Sequence, residues 1–361
     1  MQTIKAAVCR AFGEPLVIED IQINAPGMGE VEVTLDAVAI CHSDISYAEG
    51  AWGGSLPAVF GHEAAGIISA VGDGVKRFSE GDPVVVTLIR ACGSCPTCAS
   101  GKPTICENPP DGMKGPIRTA DGGPLNQAMA CGAFAEKVVV DQSQIVKIPA
   151  DMSKEVACLL SCGVITGVGA AVNAAGVRPG QDVVVIGAGG VGLNAIQGAR
   201  IAGARRIVAV DMSDEKLEIA KSFGATHGVL ATDPKPWKAA YAAFGGRGAD
   251  AVLVTVGAIP AYDSAPSYLG WGGKAIMIGM PHATGTAQYG PMSMSYQGQS
   301  LTGSKMGDVV IQRDIPWMID LYYQGRLKLD ELISGRWTLD QINEAMADTK
   351  TGSAKRNVIV F

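Results

Sequence analysis

Two patterns of apolar residues divide the chain. Over roughly the first 150 residues, short β-branched runs alternate with glycine, proline and aspartate, which is typical of β-strands and turns. From about residue 160, continuous apolar runs alternate with helical segments, which is typical of buried parallel strands joined by helices. The early runs are 31–40, 66–72, 82–89 and 136–142, and the later runs are 183–187, 206–210, 227–230, 251–256 and 274–279.

The later pattern predicts an α/β domain with a doubly wound parallel sheet. One of its helices is well defined, because Ser213 is a suitable N-cap, Asp214 lies in the first turn and Gly224 can end it. Repeated strand–helix units of this kind form a parallel sheet with right-handed crossovers. The last part of the chain returns to mixed character, so the early and late parts are expected to form one domain. The predicted domains are a mostly β catalytic domain, 1–163 and 303–361, and a Rossmann domain inserted in it, 164–302.

The composition limits the class of protein. The chain has 361 residues, 47% hydrophobic and 18% charged, which is enough for two domains with a substantial core. Its net charge of −6 and pI near 5.3 argue against nucleic acid or an anionic membrane as a partner. Mean hydropathy is +0.21, but no apolar stretch predicts a membrane-spanning helix. The opening residues lack the pattern of a signal peptide, so we expect a cytoplasmic protein.

A glycine-rich loop, G-A-G-G-V-G, follows the first of the later apolar runs and precedes a helical segment. In this context the glycines make a tight turn, let the backbone approach a pyrophosphate and permit close helix packing. Asp211, at the end of the next run, can hydrogen-bond the ribose hydroxyls and repel a 2′-phosphate, which favours NAD over NADP. Arg205 and Arg206 lie nearby and leave NADP open. The predicted loop contacts are Gly187, Gly189, Gly190, Val191 and Gly192.

Four cysteines in an irregular segment, about 92–132, have the spacing C-x2-C-x2-C-x7-C. C-x-x-C spacing is too cramped for relaxed disulfides, and the reducing cytosol disfavours disulfides in any case. Four thiolates can surround a tetrahedral zinc ion, and an iron–sulfur cluster is the alternative. All four positions would be filled by protein, so we expect a structural zinc that holds the segment 92–106 in shape. Its predicted ligands are Cys92, Cys95, Cys98 and Cys106.

Several motifs, in order along nearly the whole chain, resemble those of the zinc-dependent medium-chain alcohol dehydrogenases. Apart from this resemblance, spacing does not link Cys41 to His62, and each would be interpreted as a structural residue. The resemblance implies a GroES-like catalytic domain around the Rossmann domain. The matching motifs are C-H-S-D at 41–44, G-H-E at 61–63, the four-cysteine lobe, S-C-G-V-I-T-G at 161–167, the glycine loop at 187–192 and G-S-A-K-R at 352–356.

The resemblance implies a second, catalytic zinc ion held by Cys41, His62 and Cys162, with a fourth position open to water or the substrate oxygen. Zinc in such a site is a Lewis acid that makes a bound alcohol lose its proton more easily, and the nicotinamide then accepts a hydride. Asp44 is expected to orient His62, and Glu63 to lie beside the metal outside its ligand set.

The resemblance also implies a proton path and cofactor contacts. Ser43 takes the proton of the alcohol, but Ser46 stands where better-known members have a histidine, so we expect the proton to leave through water. The implied contacts are His42 and Arg356 with the pyrophosphate, Lys216 with the adenosine ribose, Thr166 with the nicotinamide, and the backbone of Ile278 and Met280 with the carboxamide.

The implied substrate pocket is apolar, which favours a hydrophobic primary alcohol or aldehyde. Its residues would be Trp52, Leu88 and Met129, and the lack of an acid at the Trp52 position argues against glutathione-bound formaldehyde.

The sequence therefore predicts an alcohol dehydrogenase that uses NAD and two zinc ions per subunit. A thiol-adduct or aryl-alcohol specialist that holds its nicotinamide tightly is the first alternative. A zinc-free enone or quinone reductase and a non-catalytic binding protein are weaker alternatives, because the zinc ligands are all in place. A homodimer is expected, with a homotetramer as the alternative, because the loop between Cys106 and Phe134 is intermediate in length.

Overall fold

A computed structural model describes residues 1–352 and 355–361, so Ser353 and Ala354 of the G-S-A-K-R motif lie outside the described residues. The described chain divides into two units. Unit 1 comprises 1–162, 310–324 and 329–361, and unit 2 comprises 163–309 and 325–328. The predicted boundaries lay after residues 163 and 302.

The strands of the described residues are β1 (Gln2–Cys9), β2 (Val17–Ile23), β3 (Glu30–Ala39), β4 (Ala58–Val59), β5 (Glu63–Val71), β6 (Pro83–Val86), β7 (Ile117–Thr119), β8 (Asn126–Gln127), β9 (Lys137–Asp141), β10 (Ile145–Lys147), β11 (Asp182–Ile186), β12 (Arg206–Asp211), β13 (His227–Leu230), β14 (Ala249–Val254), β15 (Leu269–Met277), β16 (Ser300–Gly303), β17 (Ile333–Trp337) and β18 (Arg356–Val360). The helices are α1 (His42–Ala48), α2 (Pro96–Ala99), α3 (Lys154–Ala157), α4 (Gly163–Gly169), α5 (Gly190–Ile201), α6 (Asp214–Phe223), α7 (Pro236–Ala243), α8 (Ile259–Tyr268), α9 (Pro291–Gln297), α10 (Ile311–Tyr323) and α11 (Ile342–Thr351).

Unit 1 is built on two sheets whose strands are mostly antiparallel. One has the order β7-β2-β1-β4-β8, and the other has the order β10-β6-β5-β3-β18-β17, with β9 also paired to β3. The C-terminal strand β18 pairs with β3 through Val358 and Ala39, which joins the last segment of the chain to the N-terminal part of the unit. Buried apolar residues from both sheets, Ile21 and Val33 among them, form one core. The end of β3 packs in this core. The residues that follow β3 in the chain belong to the candidate metal centre.

Unit 2 contains one parallel sheet with the order β13-β12-β11-β14-β15-β16. All five residues of β11 are buried, as expected for a strand covered on both faces. The strand order reverses direction between β11 and β14, and ligands bind α/β sheets at such a switch point. The predicted doubly wound α/β fold is confirmed. The glycine loop follows β11 and therefore lies at the switch point.

The sequence pattern predicted some elements of both units and missed others. Helix α6 is confirmed: the Ser213 hydroxyl accepts a hydrogen bond from the Lys216 amide, and Gly224, at φ +121°, ends the helix. The edge strand β16 was missed, because Leu301 is its only large apolar residue and the pattern shows no run there. The irregular segment 92–132 contains α2, β7 and β8, which are too short to show a period.

Within the described residues, no single helix is both long and apolar enough to cross a membrane, and one bent helix pair, Lys154–Ser161 with Gly163–Ala174, meets the criteria of length and composition together. No disulfide bond joins any two cysteines in the described part of the chain.

Candidate metal centres and cofactor site

The carboxylate of Asp44, near the N-terminal end of α1, connects three segments of the first candidate metal centre through hydrogen bonds. One carboxylate oxygen, Oδ2, accepts a hydrogen bond from the Cys41 amide at 2.9 Å. The other, Oδ1, accepts from the Gly61 amide at 3.0 Å and lies 3.0 Å from His62 Nδ1. A Cβ on Gly61, at φ +90°, would lie 2.6 Å from the Phe134 amide nitrogen, so the motif G-H-E needs its glycine. Asp44 thus contacts His62 through Nδ1, so Nε2, which lies 3.4 Å from the Ser43 hydroxyl, is the ring nitrogen that could bind a metal ion.

Four buried side chains converge at this centre. Their ligand atoms all lie within 4.8 Å of one another, and they belong to Cys41, His62, Glu63 and Cys162. Ser161, whose hydroxyl donates to the Ala64 carbonyl at 3.0 Å, fixes the turn that presents Cys162. The structure therefore brings together three predicted zinc ligands and the predicted neighbouring acid, from segments that are distant in the chain.

The two thiols of this centre cannot both ionise easily, because they are buried beside each other. A hydrogen bond from Cys162 lowers the pKa of Cys41 well below its usual range, against the effect of burial and with the help of His62. The same contact, together with burial, raises the pKa of Cys162 well above its usual range. Burial would lower the pKa of His62, but Asp44 and Cys41 outweigh it and raise it well above normal. A divalent cation would replace these protons and favour two thiolates and a neutral imidazole.

Glu63 is paired with an arginine that is distant in sequence. Arg356, only 5% exposed, places Nη1 3.2 Å from Glu63 Oε1 and also donates to the Ile40 carbonyl at 3.3 Å. Neither oxygen of Glu63 accepts a hydrogen bond from the described residues, although both are buried. Burial raises the pKa of Glu63 to about 8, against the opposing effect of Arg356. This pairing was not predicted, and the pyrophosphate contact implied for Arg356 stays a prediction.

These donors fit a zinc ion. Two thiols and an imidazole are a ligand set of catalytic zinc sites, which keep a fourth position open. The buried oxygens of Glu63 accept no hydrogen bond from the described residues and are compensated by the Arg356 guanidinium, and a metal ion would place a second positive charge beside them. Cys41, His62 and Cys162 would hold the ion, and Glu63 would lie beside it.

The second candidate metal centre is the four-cysteine lobe, where Cys92, Cys95, Cys98 and Cys106 also place their sulfurs within 4.8 Å of one another. Backbone amides donate to these sulfurs at 3.3–3.5 Å. Such hydrogen bonds favour the thiolate, which is the form that binds metal. The Asn108 amide group adds a further hydrogen bond, to Cys92 at 3.4 Å, which sequence spacing did not reveal.

The thiols of the lobe differ in acidity. The amides of Ser94 and Cys95, then the Asn108 side chain, lower the pKa of Cys92 to about 5. Desolvation and the neighbouring thiols Cys95 and Cys106 raise the pKa of Cys98 to about 12. The lobe thus concentrates negative charge at one place, and a cation would let all four sulfurs ionise. The donor set fits a structural zinc.

The glycine loop has the shape that a dinucleotide site requires. Gly187 has φ +97°, and a Cβ on Gly192 would lie 1.8 Å from the Gly187 carbonyl oxygen. In contrast, a Cβ on Gly189 would meet no atom within 4 Å, so open space lies before the first turn of α5. A helix N-terminus with free amides and room in front of it suits a phosphate group. Gly190 and Val191 are the first two residues of that helix.

Asp211 lies beside the loop, at the end of β12. Its carboxylate accepts hydrogen bonds from the Ala188 and Met212 amides, both at 2.7 Å. Arg205 forms an ion pair with Asp182, and Arg206 donates to the Ala243 carbonyl at 2.8 Å. Each arginine therefore has a partner other than Asp211, and the choice between NAD and NADP stays a prediction.

The other predicted cofactor residues are divided between the two units. In unit 2, Thr166 is buried and its hydroxyl donates to the Met306 sulfur at 3.7 Å. Ile278 is buried directly after β15, whereas Met280 is 61% exposed and Lys216 is half-buried in α6. His42, in unit 1, is exposed at the first position of α1.

The three predicted substrate residues are half-buried in unit 1, and two of their segments are tied together. The Gln144 amide group donates to the Thr87 carbonyl at 2.9 Å and to the Ala130 carbonyl at 2.8 Å. It thereby joins the neighbours of Leu88 and Met129. Met129 has a left-handed backbone, φ 54°, which is uncommon for a non-glycine residue. Gln144 is a positioning residue that sequence reasoning missed, because its two partners are far apart in the chain.

Comparison with known proteins gives the family. The alcohol dehydrogenase GroES-like domain matches residues 27–150, and the zinc-binding dehydrogenase domain matches residues 190–324. The NDMA-dependent alcohol dehydrogenase of Amycolatopsis methanolica is 36% identical over 99% of this chain and 98% of its own length. The chain belongs to the zinc-dependent medium-chain dehydrogenase family.

Solved structures agree with this family. The structure of benzyl alcohol dehydrogenase from Acinetobacter calcoaceticus is 31% identical, with TM-score 0.94 and full coverage of both chains. An alcohol dehydrogenase zinc-binding domain protein from Burkholderia ambifaria is 34% identical, with TM-score 0.95 over 100% of this chain and 99% of its own. The resemblance stated from the motifs is confirmed, and the relatives support alcohol dehydrogenase activity.

Proposed function

We propose that this protein is a zinc- and NAD-dependent dehydrogenase that interconverts a hydrophobic primary alcohol and its aldehyde. The observation that carries the proposal is the convergence of Cys41, His62 and Cys162 within 4.8 Å of one another, beside the hydrogen-bond-deficient carboxylate of Glu63. Zinc would supply Lewis-acid polarisation of the alcohol oxygen, and NAD would accept the hydride.

The residues of the chain would prepare this chemistry. Asp44 holds His62 through Nδ1, which directs Nε2 to the centre and keeps the ring from rotating. The Ser43 hydroxyl lies 3.4 Å from His62 Nε2, at the place where a proton leaving the alcohol would be received. Ser46 cannot act as a histidine base, so the proton would pass from Ser43 Oγ to water.

The proposal is tested by metal analysis and an alcohol assay on the same sample. We expect about two zinc ions per subunit, as the two donor sets imply, and NADH formation that depends on alcohol. Removal of the more exchangeable zinc should abolish NADH formation, and added zinc should restore it. A protein that keeps full activity without metal would contradict the proposal and favour the reductase alternative.

A second candidate is the same chemistry with a nicotinamide that is not released between turnovers. It is favoured by the name of one relative, the NDMA-dependent alcohol dehydrogenase of Amycolatopsis methanolica, since a nicotinamide that stays bound would make turnover depend on a further compound. Extensive dialysis followed by mass spectrometry of the denatured supernatant distinguishes the two. The second candidate would be supported if about one nicotinamide cofactor per subunit stays bound through dialysis, and if the enzyme turns over only when an artificial acceptor is added.

The choice of NAD over NADP gives a specific prediction. Asp211→Ala should lower the preference for NAD by about 10–100-fold, because the carboxylate no longer repels a 2′-phosphate. The measurement is kcat/KM for NAD and for NADP at saturating alcohol. Asp214→Ala is the matched control, since Asp214 is an exposed acid at the start of α6 and should leave the ratio unchanged. An unaltered ratio in Asp211→Ala would remove Asp211 from the ribose contact.

The cytoplasmic location, the homodimer and the absence of nucleic-acid and membrane partners stay proposals that rest on the sequence. Sedimentation analysis would determine the oligomeric state.

A further inference from the structure

A threonine side chain is hydrogen-bonded to the start of the glycine loop in unit 2. Thr255 directly follows β14, and Gly187 directly follows β11, the neighbouring parallel strand. The Thr255 hydroxyl contacts the Ile186 carbonyl at 2.9 Å and the Gly187 carbonyl at 3.0 Å. Because a hydroxyl has one proton to donate, the two carbonyls share it. The side chain thus joins the end of β14 to the first residue of the loop.

The same hydroxyl fills the space inside the turn of the loop. A Cβ on Gly187 would lie 2.9 Å from Thr255 Oγ1, and a Cβ on Gly192 would lie 3.0 Å from it. Both distances are shorter than ordinary van der Waals contact, so the absence of these two side chains makes room for the oxygen. The Thr255 amide also donates to the Ile186 carbonyl, at 2.9 Å. The hydroxyl therefore adds the Gly187 carbonyl to a contact that the backbone already makes.

On its other side, the segment 255–257 packs against the end of β15. The Val254 carbonyl, just before this segment, accepts hydrogen bonds from the Ile278 and Gly279 amides, both at 3.0 Å. A Cβ on Gly257 would lie 2.2 Å from the Met280 carbonyl oxygen, so the two backbones approach as closely as glycine allows. The segment is held by its neighbour on this side, and it gives the Thr255 hydroxyl a fixed place from which to hold the loop.

We propose that Thr255 is a positioning residue that keeps the glycine loop in its phosphate-binding conformation before the cofactor binds. A loop that is fixed in advance loses less conformational freedom on binding, so the cofactor is held more tightly and released more slowly. Without the hydroxyl, the Gly187 carbonyl loses its hydrogen bond to the end of β14, and the turn before α5 gains freedom. The inference rests on the proposed use of a nicotinamide cofactor, and it adds to that site a residue outside the glycine motif.

The rate at which NADH leaves the protein tests this inference without any alcohol. NADH is bound to the zinc-loaded protein, and its displacement by excess NAD is followed through the loss of NADH fluorescence. Thr255→Val keeps the branched shape of the side chain but removes the hydroxyl. NADH should then dissociate about three- to tenfold faster, as expected for the loss of one hydrogen bond. Thr255→Ser keeps the hydroxyl and should release NADH at the wild-type rate.

Thr226→Val is the matched control in the same sheet. The Thr226 hydroxyl also donates to a main-chain carbonyl, that of Ile207 at 3.0 Å, and its amide donates to the same carbonyl at 2.8 Å. This pair lies at the amino ends of β12 and β13, at the opposite edge of the sheet from the glycine loop. The control should therefore release NADH at the wild-type rate. Melting temperatures are measured for all variants, and Thr255→Ala replaces Thr255→Val if the valine variant does not fold.

Two results would overturn the positioning role. One is release of NADH at the wild-type rate from the variant that lacks the Thr255 hydroxyl, and the other is equally fast release from Thr226→Val. A wild-type protein that binds no NADH at all would contradict the proposed cofactor use itself, and the role of Thr255 with it. The behaviour of the wild-type protein thus separates failure of the proposed function from failure of this inference.

Discussion

Cys162→Ala should lose one zinc ion per subunit and lower kcat by on the order of a thousandfold. The variant keeps Cys41 and His62 at the centre, but two protein ligands do not hold the ion in a defined geometry. Loss of a Lewis acid that contributes several kcal/mol to transition-state stabilisation corresponds to a rate loss of about this size. Zinc content and alcohol-dependent NADH formation, measured on the same preparation, check the result.

The matched control for this variant is Cys131→Ala. Cys131 is also a fully buried thiol of unit 1, but its sulfur is not a member of either cluster. Burial raises the pKa of its thiol above the usual range, as expected for an inert core cysteine. The control should keep its zinc content and its kcat. If Cys162→Ala kept both zinc ions and its turnover, the centre would be assigned to the wrong residues.

Cys98→Ser should lower the melting temperature by roughly 10 °C and remove one zinc ion. Metal binding supplies folding free energy directly, and the lobe has little apolar core of its own to replace it. Within the described residues, Cys95 and Thr104 are the lobe side chains with less than a tenth of their surface exposed. Thermal unfolding followed by circular dichroism, with zinc analysis of the same sample, measures both effects.

Ser100→Ala is the control within the same lobe. Its hydroxyl donates to the Thr97 carbonyl at 2.9 Å on an exposed part of the lobe, so its loss should change the melting temperature little. A chelator added to the wild-type protein should reproduce the effect of Cys98→Ser. A Cys98→Ser protein with one zinc ion and an unchanged melting temperature would mean that the lobe folds without its metal.

Local signals in the sequence predicted a large part of the fold and the site. The apolar runs of unit 2 identified the parallel sheet, because a strand covered on both faces must be apolar throughout. The limits of α6 followed from Ser213 and Gly224, whose roles depend only on local backbone geometry. The four-cysteine lobe could also be predicted, because its thiols are close in sequence. Their spacing alone restricts the kinds of site that they can form.

Features that join distant segments were beyond such reasoning. Arg356 meets Glu63 only because β18 pairs with β3, next to the point where the chain enters the metal centre. The Tyr47 ring contacts Trp52, in the turn after α1, and Phe60, which lies beyond that turn. Neither pairing has a sequence period, so the sequence of this one chain carries no signal for it.

The sequence by itself determined the two-domain plan, the glycine loop after β11 and the clustering of the four thiols of the lobe, because each depends on the order of neighbouring residues. Cys41, His62 and Cys162 were linked by resemblance to a family, and their spacing alone did not connect them. Only the tertiary structure decided that these three residues converge with Glu63, and that Asp44 holds the imidazole. Convergence of this kind is a consequence of strand pairing and burial, which place side chains together whatever their separation in the chain.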